Sequence, residues 1–388
     1  MKSIKTRLYP NKEQRSLLDR HFGSCRFVFN ATLNFKIIMY KDYGLSKSKF
    51  DIINELPELK KEFEWLSECK AECLQNVIGN VDAAYQGFFR GGGFPKFKKK
   101  SSKQSFLQKQ NFKVLENTNR LVFYKQKIKF RCSERDAIDL RTNKIKRITY
   151  SKDSCGHYYA SILIDFNHEL LEPNEFEIGI DLGLKEFAIT SDAEVIANPR
   201  FLRKSSEKLA LLQRRHSRKK KGSRNREKAR IAIAKQYKKV TNQRRDFQHK
   251  LSSQLIHKNQ VIYIESLKDK NMVKNRKLAK SISDASWSSF TGMLEYKAKW
   301  YGRQVIKIGT FEPSSKLCSR CGWKKEDLTL SDRVFNCREC GLEIDRDYNA
   351  ALNILKIGMS NAELTLEETK SLDSRRTKKR LTEDLNPQ

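Results

Sequence analysis

Two Cys-x-x-Cys-Gly units, Cys318 to Gly322 and Cys337 to Gly341, constrain this chain more than any other feature. Fifteen residues separate Cys321 from Cys337, which is the spacing of a zinc ribbon whose four thiolates, at ~2.3 Å, surround the ion tetrahedrally. The glycine past each second thiolate fits a knuckle that turns its backbone through φ > 0. Four thiolates close the coordination shell and leave no position for water or substrate, so Cys318, Cys321, Cys337 and Cys340 are expected to hold a structural Zn2+. The other cysteines, Cys25, Cys69, Cys73, Cys132 and Cys155, share no such pattern and read as packed thiols.

The chain has 388 residues, more than the ~250 to 300 at which single cores stop growing, so two or three domains are expected. Lys and Arg number 79 against 46 Asp and Glu, a formal net charge of +33, which points to a polyanionic partner. No apolar run reaches the ~18 residues of a membrane span. The start, MKSIKTRLYPNKEQ, lacks the apolar stretch of a signal peptide, so a cytoplasmic protein with reduced thiols is expected.

EFEIGIDLGLKEFAITSD alternates, turns at Gly183-Leu184-Lys185 and alternates again, the signal of a β-hairpin, and the acidic stretch before it sets a boundary near residue 172. Upstream, Leu74, Val77, Ile78, Val81, Ala84, Tyr85 and Phe88 recur at spacings of three and four, which predicts an amphipathic helix. LVFYKQKIKF and HYYASILIDF read as strands, with RITY between them. Residues 203 to 250 hold 19 Lys or Arg and 3 acids, a net +16, and suggest two helices around the turn KKKGSRN. Such a density predicts nucleic-acid contact, with Lys219, Lys220, Lys221, Arg224 and Arg226 as candidates. Trp287, Tyr296, Trp300 and Tyr301 are spaced for core packing on a helix.

Three acids stand out. In IGIDLGL, Ile178, Ile180 and Leu182 face one way and Gly179, Asp181 and Gly183 the other, so Asp181 is expected on a bare face that a sugar-phosphate backbone could approach. VIYIES is a continuous apolar run, as in a strand buried on both faces, ending in Glu265. DRDYNAALNIL starts a helix, where either Asp345 or Asp347 could serve as N-cap. Neither can ligate the ribbon zinc, whose shell is full, so a second site with oxygen ligands suited to Mg2+ or Mn2+ is expected.

Strand Asp181, strand-end Glu265 and helix-start Asp347, with a four-cysteine ribbon just before the last, resemble the RNase H-like (RuvC) nuclease half of the transposon-encoded TnpB proteins, compact relatives of type V CRISPR effectors. RLYPNKEQ, GSCRFVFN, GFPKFKKK, RRDFQHKLS, SDASW, LEYKAKWYG and EPSSKLCSRCG are similar to that family too. The resemblance spans about residues 3 to 357 and is weaker between 40 and 170. It implies a multi-domain α+β and α/β fold. A β-barrel-like wedge with a helical insertion would occupy residues 1–171, and a RuvC-like nuclease 172–357, with a basic helical insert at 203–258 and the ribbon at 313–342. A charged tail, 358–388, reads as disordered.

The resemblance further implies that Asp181, Glu265 and Asp347 are the catalytic acids and hold Mg2+. A guide RNA derived from the transposon end and target DNA would be the partners, with no membrane and no small-molecule substrate. The expected activity is RNA-guided DNA cleavage by a two-metal mechanism. A transposase performing strand transfer and a nuclease-inactive guided DNA-binding regulator are the alternatives. The scattered histidines, with no His-x-His pair, speak against a tyrosine-type transposase.

Overall fold

Ile4, Thr6 and Leu8 are buried at alternate positions of KSIKTRLY, the pattern of a half-covered strand, and this segment is β1 (Lys2–Tyr9). The structure, a computed structural model, describes residues 1–362 except 102, 116–118, 268, 311, 330 and 331. It divides into two compact units, the first Met1–Asn167 and the second starting at His168, a few residues before the expected boundary.

In the first unit Asn11 and Gln14 form a capping box that starts α1 (Lys12–Tyr43), and Gly44 at φ 65° ends it. Then come α2 (Lys49–Asn54), α3 (Leu56–Glu62) and α4 (Ala71–Phe89). The expected amphipathic helix is α4, with Leu74, Val77, Ile78 and Val81 buried. The chain continues through β2 (Gln104–Gln108), β3 (Lys113–Leu115), β4 (Arg120–Phe123), β5 (Gln126–Arg131), α5 (Glu134–Thr142), β6 (Ile145–Lys152) and β7 (Tyr158–Ile164). LVFYKQKIKF is not one strand. Tyr124 and Lys125, at φ 49° and 65°, turn β4 back into β5, the left-handed turn that suits strand twist. The sheet order is β2-β6-β7-β1-β5-β4-β3, antiparallel throughout, a half-barrel with the helical insertion between β1 and β2.

The second unit opens with the expected hairpin, β8 (Glu177–Leu182) and β9 (Glu186–Thr190), followed by β10 (Val195–Ala197). α6 (Phe201–Lys204), α7 (Ser206–Ser217) and α8 (Arg224–Lys258) carry the basic segment, with Gly222 at φ 80° between α7 and α8. β11 (Val261–Glu265) is buried at its first four residues and lies parallel between β8 and β12 (Gln304–Ile308). α9 (Asp269–Met272), α10 (Ala279–Ala285) and α11 (Trp287–Tyr301) connect β11 to β12. The sheet order is β10-β9-β8-β11-β12.

A small hairpin, β13 (Val334–Asn336) and β14 (Glu343–Asp345), precedes a last helix, α12, over residues 346–362. Residues 358–362 of the expected tail are therefore helical, and 363–388 lie outside the described residues. Ile178, Ile180, Ile262 and Ile264 pack with Leu251, Leu255, Phe290 and Leu294 of α8 and α11. Val261, Tyr263 and Ile308 pack with Ile354 of α12 on the opposite face, so the parallel strands are covered on both sides.

Candidate active site

Gly179 lets α12 lie directly on β8. A Cβ on Gly179 would clash with the Ala351 carbonyl oxygen and come 2.7 Å from Leu355 N and 2.9 Å from Leu355 Cβ. Gly358 does the same from the helix side, its added Cβ falling 2.6 Å from Tyr263 Cγ. This corrects the reading of a bare face. The room left by Gly179 is filled by a helix, and no nucleic-acid backbone could use it. At Gly183 the room is taken by the turn itself, with Glu186 O 2.9 Å from an added Cβ.

Asp181 and Glu265 follow the paired Ile180 and Ile264 on neighbouring parallel strands, and so face the side that α12 covers. Asp347 is in the first turn of α12. The Asp181 carboxyl is pushed from its ordinary 3.8 up to about 8, first by burial, then by the charges of Glu265 and Asp347; Asp345 adds to the shift and Arg346 opposes it. Part of its surface stays open to solvent. Glu265 and Asp347 thus act on Asp181 through space, although the three come from segments far apart in the chain.

Each of the other acids has a partner. Glu265 Oε1 accepts a hydrogen bond from Ser314 Oγ. Asp347 Oδ1 accepts from Arg346 Nε at 3.0 Å and Nη2 at 2.8 Å. Asp345 Oδ1 accepts from Asp347 N at 2.9 Å and Tyr348 N at 3.0 Å, which makes Asp345 the N-cap of α12. These bonds make Asp345 the capping residue, while Asp347 meets Arg346 and adds its charge at Asp181, as Asp345 does to a smaller extent.

The cysteine quartet closes as expected. Cys318 Sγ lies 3.6 Å from Cys340 Sγ, Cys321 Sγ lies 3.5 Å from Cys337 Sγ, and all four sulfurs fall within 4.8 Å of one another. Ligands ~2.3 Å from a tetrahedral centre sit about 3.8 Å apart, so these thiols can hold a zinc ion. Gly322 and Gly341 adopt φ 78° and 69°, and their N–H groups bond back to Cys318 O at 2.9 Å and Cys337 O at 3.1 Å.

Sequence reasoning missed the loop that joins the two sites. Asn349 Nδ2 donates to Leu317 O at 2.7 Å and its Oδ1 accepts from Ser319 N at 2.9 Å, while Asn353 Nδ2 donates to Ser314 O at 2.7 Å. Both asparagines are buried. Their spacing of four, which sets both on one helix face, was the available signal.

Other candidates sort as follows. Lys219, Lys220, Lys221 and Arg224 are exposed. Arg226 differs, because its Nη1 donates to Lys219 O at 2.6 Å and His216 O at 3.4 Å and so closes the α7–α8 turn. Trp287 is buried in the core and half-buried Tyr301 packs against it, whereas Tyr296 and Trp300, also half-buried, pack ring to ring at 4.6 Å outside it. Cys25, Cys69, Cys73 and Cys155 are buried and Cys132 half-buried. Asp153, Cys155 and His157 also bring ligand atoms within 4.8 Å, but Asp153 Oδ1 is engaged with the N–H groups of Cys155 and His157, both at 2.9 Å, in the β6–β7 turn. No helix among the described residues is long and apolar enough to cross a membrane.

Residues 161–276 match the OrfB_IS605 family, described as "Probable transposase", and residues 287–354 match the "Cas12f1-like, TNB domain". Residues 1–44 match the "Helix-turn-helix domain" of the OrfB_IS605 family, although this segment folds as β1 and the single long helix α1. A "Putative RNA-guided DNA endonuclease" of Streptomyces pristinaespiralis is 34% identical, over 92% of this chain and 90% of that protein. The "Putative RNA-guided DNA endonuclease InsQ" of Escherichia coli (strain K12) is 30% identical, over 92% of each. In fold the chain is similar to the protein of a Cas12f1–sgRNA–target DNA complex, with a TM-score of 0.54, 16% identity, and 87% of this chain and 82% of that one covered. The chain has a mixed α/β, Cas12f-like fold with a four-cysteine cluster. More narrowly, the chain belongs to the TnpB family of OrfB-type proteins.

Proposed function

We propose that this protein is an RNA-guided, divalent-metal-dependent DNA endonuclease whose second unit is a RuvC-like nuclease. One observation carries the reading: Asp181 of β8 lies buried near Glu265 of β11 and Asp347 of α12, and burial first, then the charges of those two acids, lift its carboxyl to about 8. An antiparallel meander continued by two parallel strands, covered on both faces, supports the RNase H-like fold of this unit. The names of the relatives, and of the complex to which the fold is similar, support a guide RNA and a target DNA as partners. The family match supports an origin in an insertion sequence, and the guide would be drawn from the transposon end.

The donor set fits Mg2+, with Mn2+ as a substitute, because three carboxylates offer hard oxygens and their mutual repulsion is what a divalent cation offsets. Bound there, the ions would supply an activated water and stabilise the leaving 3′ oxygen of a phosphodiester. The chain's own groups set the geometry: Ser314 orients Glu265, Arg346 holds Asp347, and Asp345 caps the helix that carries it. Lys219, Lys220, Lys221 and Arg224 would meet nucleic-acid phosphates, and the quartet would hold structural zinc.

Sequencing the RNA that copurifies with the protein supplies the guide. With that guide and Mg2+, the wild type should cut matched DNA and Asp181→Asn should bind it uncut. Wild-type protein that binds matched DNA without cutting would favour the regulator reading, and joined donor and target DNA would favour the transposase.

A further inference from the structure

Gly292 stands inside α11, where glycine weakens a helix relative to alanine. Nothing in its surroundings demands the residue. An added Cβ would meet no atom within 4 Å, and the backbone is not left-handed there. Gly179 and Gly358, each pressed against another element, show what a packing reason looks like. What Gly292 does border is a cavity of about 230 Å3 that has Glu265 in its wall. A side chain at Gly292 would grow into that space, so the glycine keeps it open.

The remaining walls describe what could enter. Ser288, Thr291 and Thr310 offer hydroxyls. Lys307 is paired with Glu295 at 2.5 Å, so the rim carries no unbalanced positive charge to draw a second phosphate. Trp287, 2% exposed, also lines the cavity, and its buried Nε1 has no hydrogen-bond partner. An indole N–H buried without a partner leaves an unmet donor in the residue that forms this wall. The volume lies below the ~300 Å3 at which drug-sized sites begin. It suits one sugar and base, and a base could enter only by leaving its stack.

We propose that the cavity beside Glu265, kept open by Gly292, is the subsite for one nucleoside of the DNA strand being cut, adjoining the scissile phosphate. This rests on the nuclease reading above. A nucleoside held there would fix the strand relative to Glu265 and would require the strand to arrive unpaired at that position.

The test uses the full protein with its copurified RNA and Mg2+. Gly292→Ala and Gly292→Leu should keep zinc and RNA binding, and Gly292→Ala should melt at or above the wild-type temperature. Cleavage of matched DNA should fall several-fold with alanine and roughly tenfold or more with leucine, the scale on which one group in a pocket acts. A glycine needed only for structure would instead lower melting temperature and activity together. A second arm walks a single abasic residue along the cut strand. One position beside the scissile phosphate should slow the wild type, and Gly292→Ala should be less sensitive to it. Wild-type cleavage rates in a well-folded Gly292→Leu protein would overturn the subsite, as would indifference of the wild type to every abasic position. Should Gly292→Leu fold poorly, Gly292→Ala and the abasic walk decide. Failure of the wild type to cut any matched DNA would be a separate outcome, removing the nuclease reading itself.

Discussion

A helix leaves its first backbone N–H groups without partners, and at α12 Asp345 satisfies two of them. Asp347, two positions on, contributes its charge to the shift of Asp181. Asp347→Asn should therefore abolish Mg2+-dependent cleavage with folding and guided binding intact. Asp345→Ala should retain activity in part and lower stability by about 1 kcal/mol, the usual value of a lost N-cap. Cleavage assays beside thermal melts separate the two, and an active Asp347→Asn protein would make Asp345 the candidate acid. Asp181 adds a pH dependence. Between its ordinary 3.8 and about 8 the folded carboxyl keeps a proton that the unfolded chain has lost, so in ion-free protein its contribution to stability falls as pH rises through that window. A divalent ion competes with that proton and offsets the repulsion. Mg2+ should consequently raise the melting temperature more near about pH 8.5 than near about pH 5, and Asp181→Asn should erase the difference. Equal shifts at both pH values would contradict the assignment.

At the scale of elements, α12 holds the site together. It rests on β8 through Gly179, clamps the loop at residues 314–319 through Asn349 and Asn353, and carries Asp347. Gly179→Ala forces a Cβ against rigid backbone, so overpacking of roughly 1 to 3 kcal/mol is expected, together with lost cleavage as Asp347 moves from Asp181. Unchanged melting and activity would show that α12 can shift freely. Cys337→Ser opens the thiolate shell, and structural zinc supplies roughly 10 to 16 kcal/mol of apparent binding energy to small metal modules. Zinc content and melting temperature should both drop. Cleavage should fail as well, since the first knuckle continues the loop whose Ser314 orients Glu265. Wild-type zinc content in that variant would refute the metal assignment.

Across the whole molecule, a charge of +33 favours a polyanionic partner, and nearly half of it lies on α7, α8 and their flanks. Neutralising Lys219, Lys220 and Lys221 together should weaken binding to many sequences alike, each lost phosphate contact removing ~0.9 from the log-log salt slope. Titrations at several salt concentrations check this, and an unchanged slope would mean that the turn is only solvated. Arg226→Ala should mainly loosen the α7–α8 turn, because its guanidinium is bonded to backbone carbonyls.

By itself the sequence determined what depends on near neighbours. The β8–β9 hairpin, the doubly buried β11, the basic helix pair and the two cysteine knuckles follow from period, apolar runs and spacing, which act over a few residues. LVFYKQKIKF escaped that logic because Tyr124 and Lys125 take a left-handed turn without the Gly or Asn that marks one. Tertiary structure alone decided the rest. The room at Gly179 belongs to α12, Asp345 caps, Arg226 latches a turn, Ser314 reaches Glu265, and Gly292 borders a cavity. Each depends on which distant segment packs where. That is set by the burial of whole faces against one another, which no local pattern encodes.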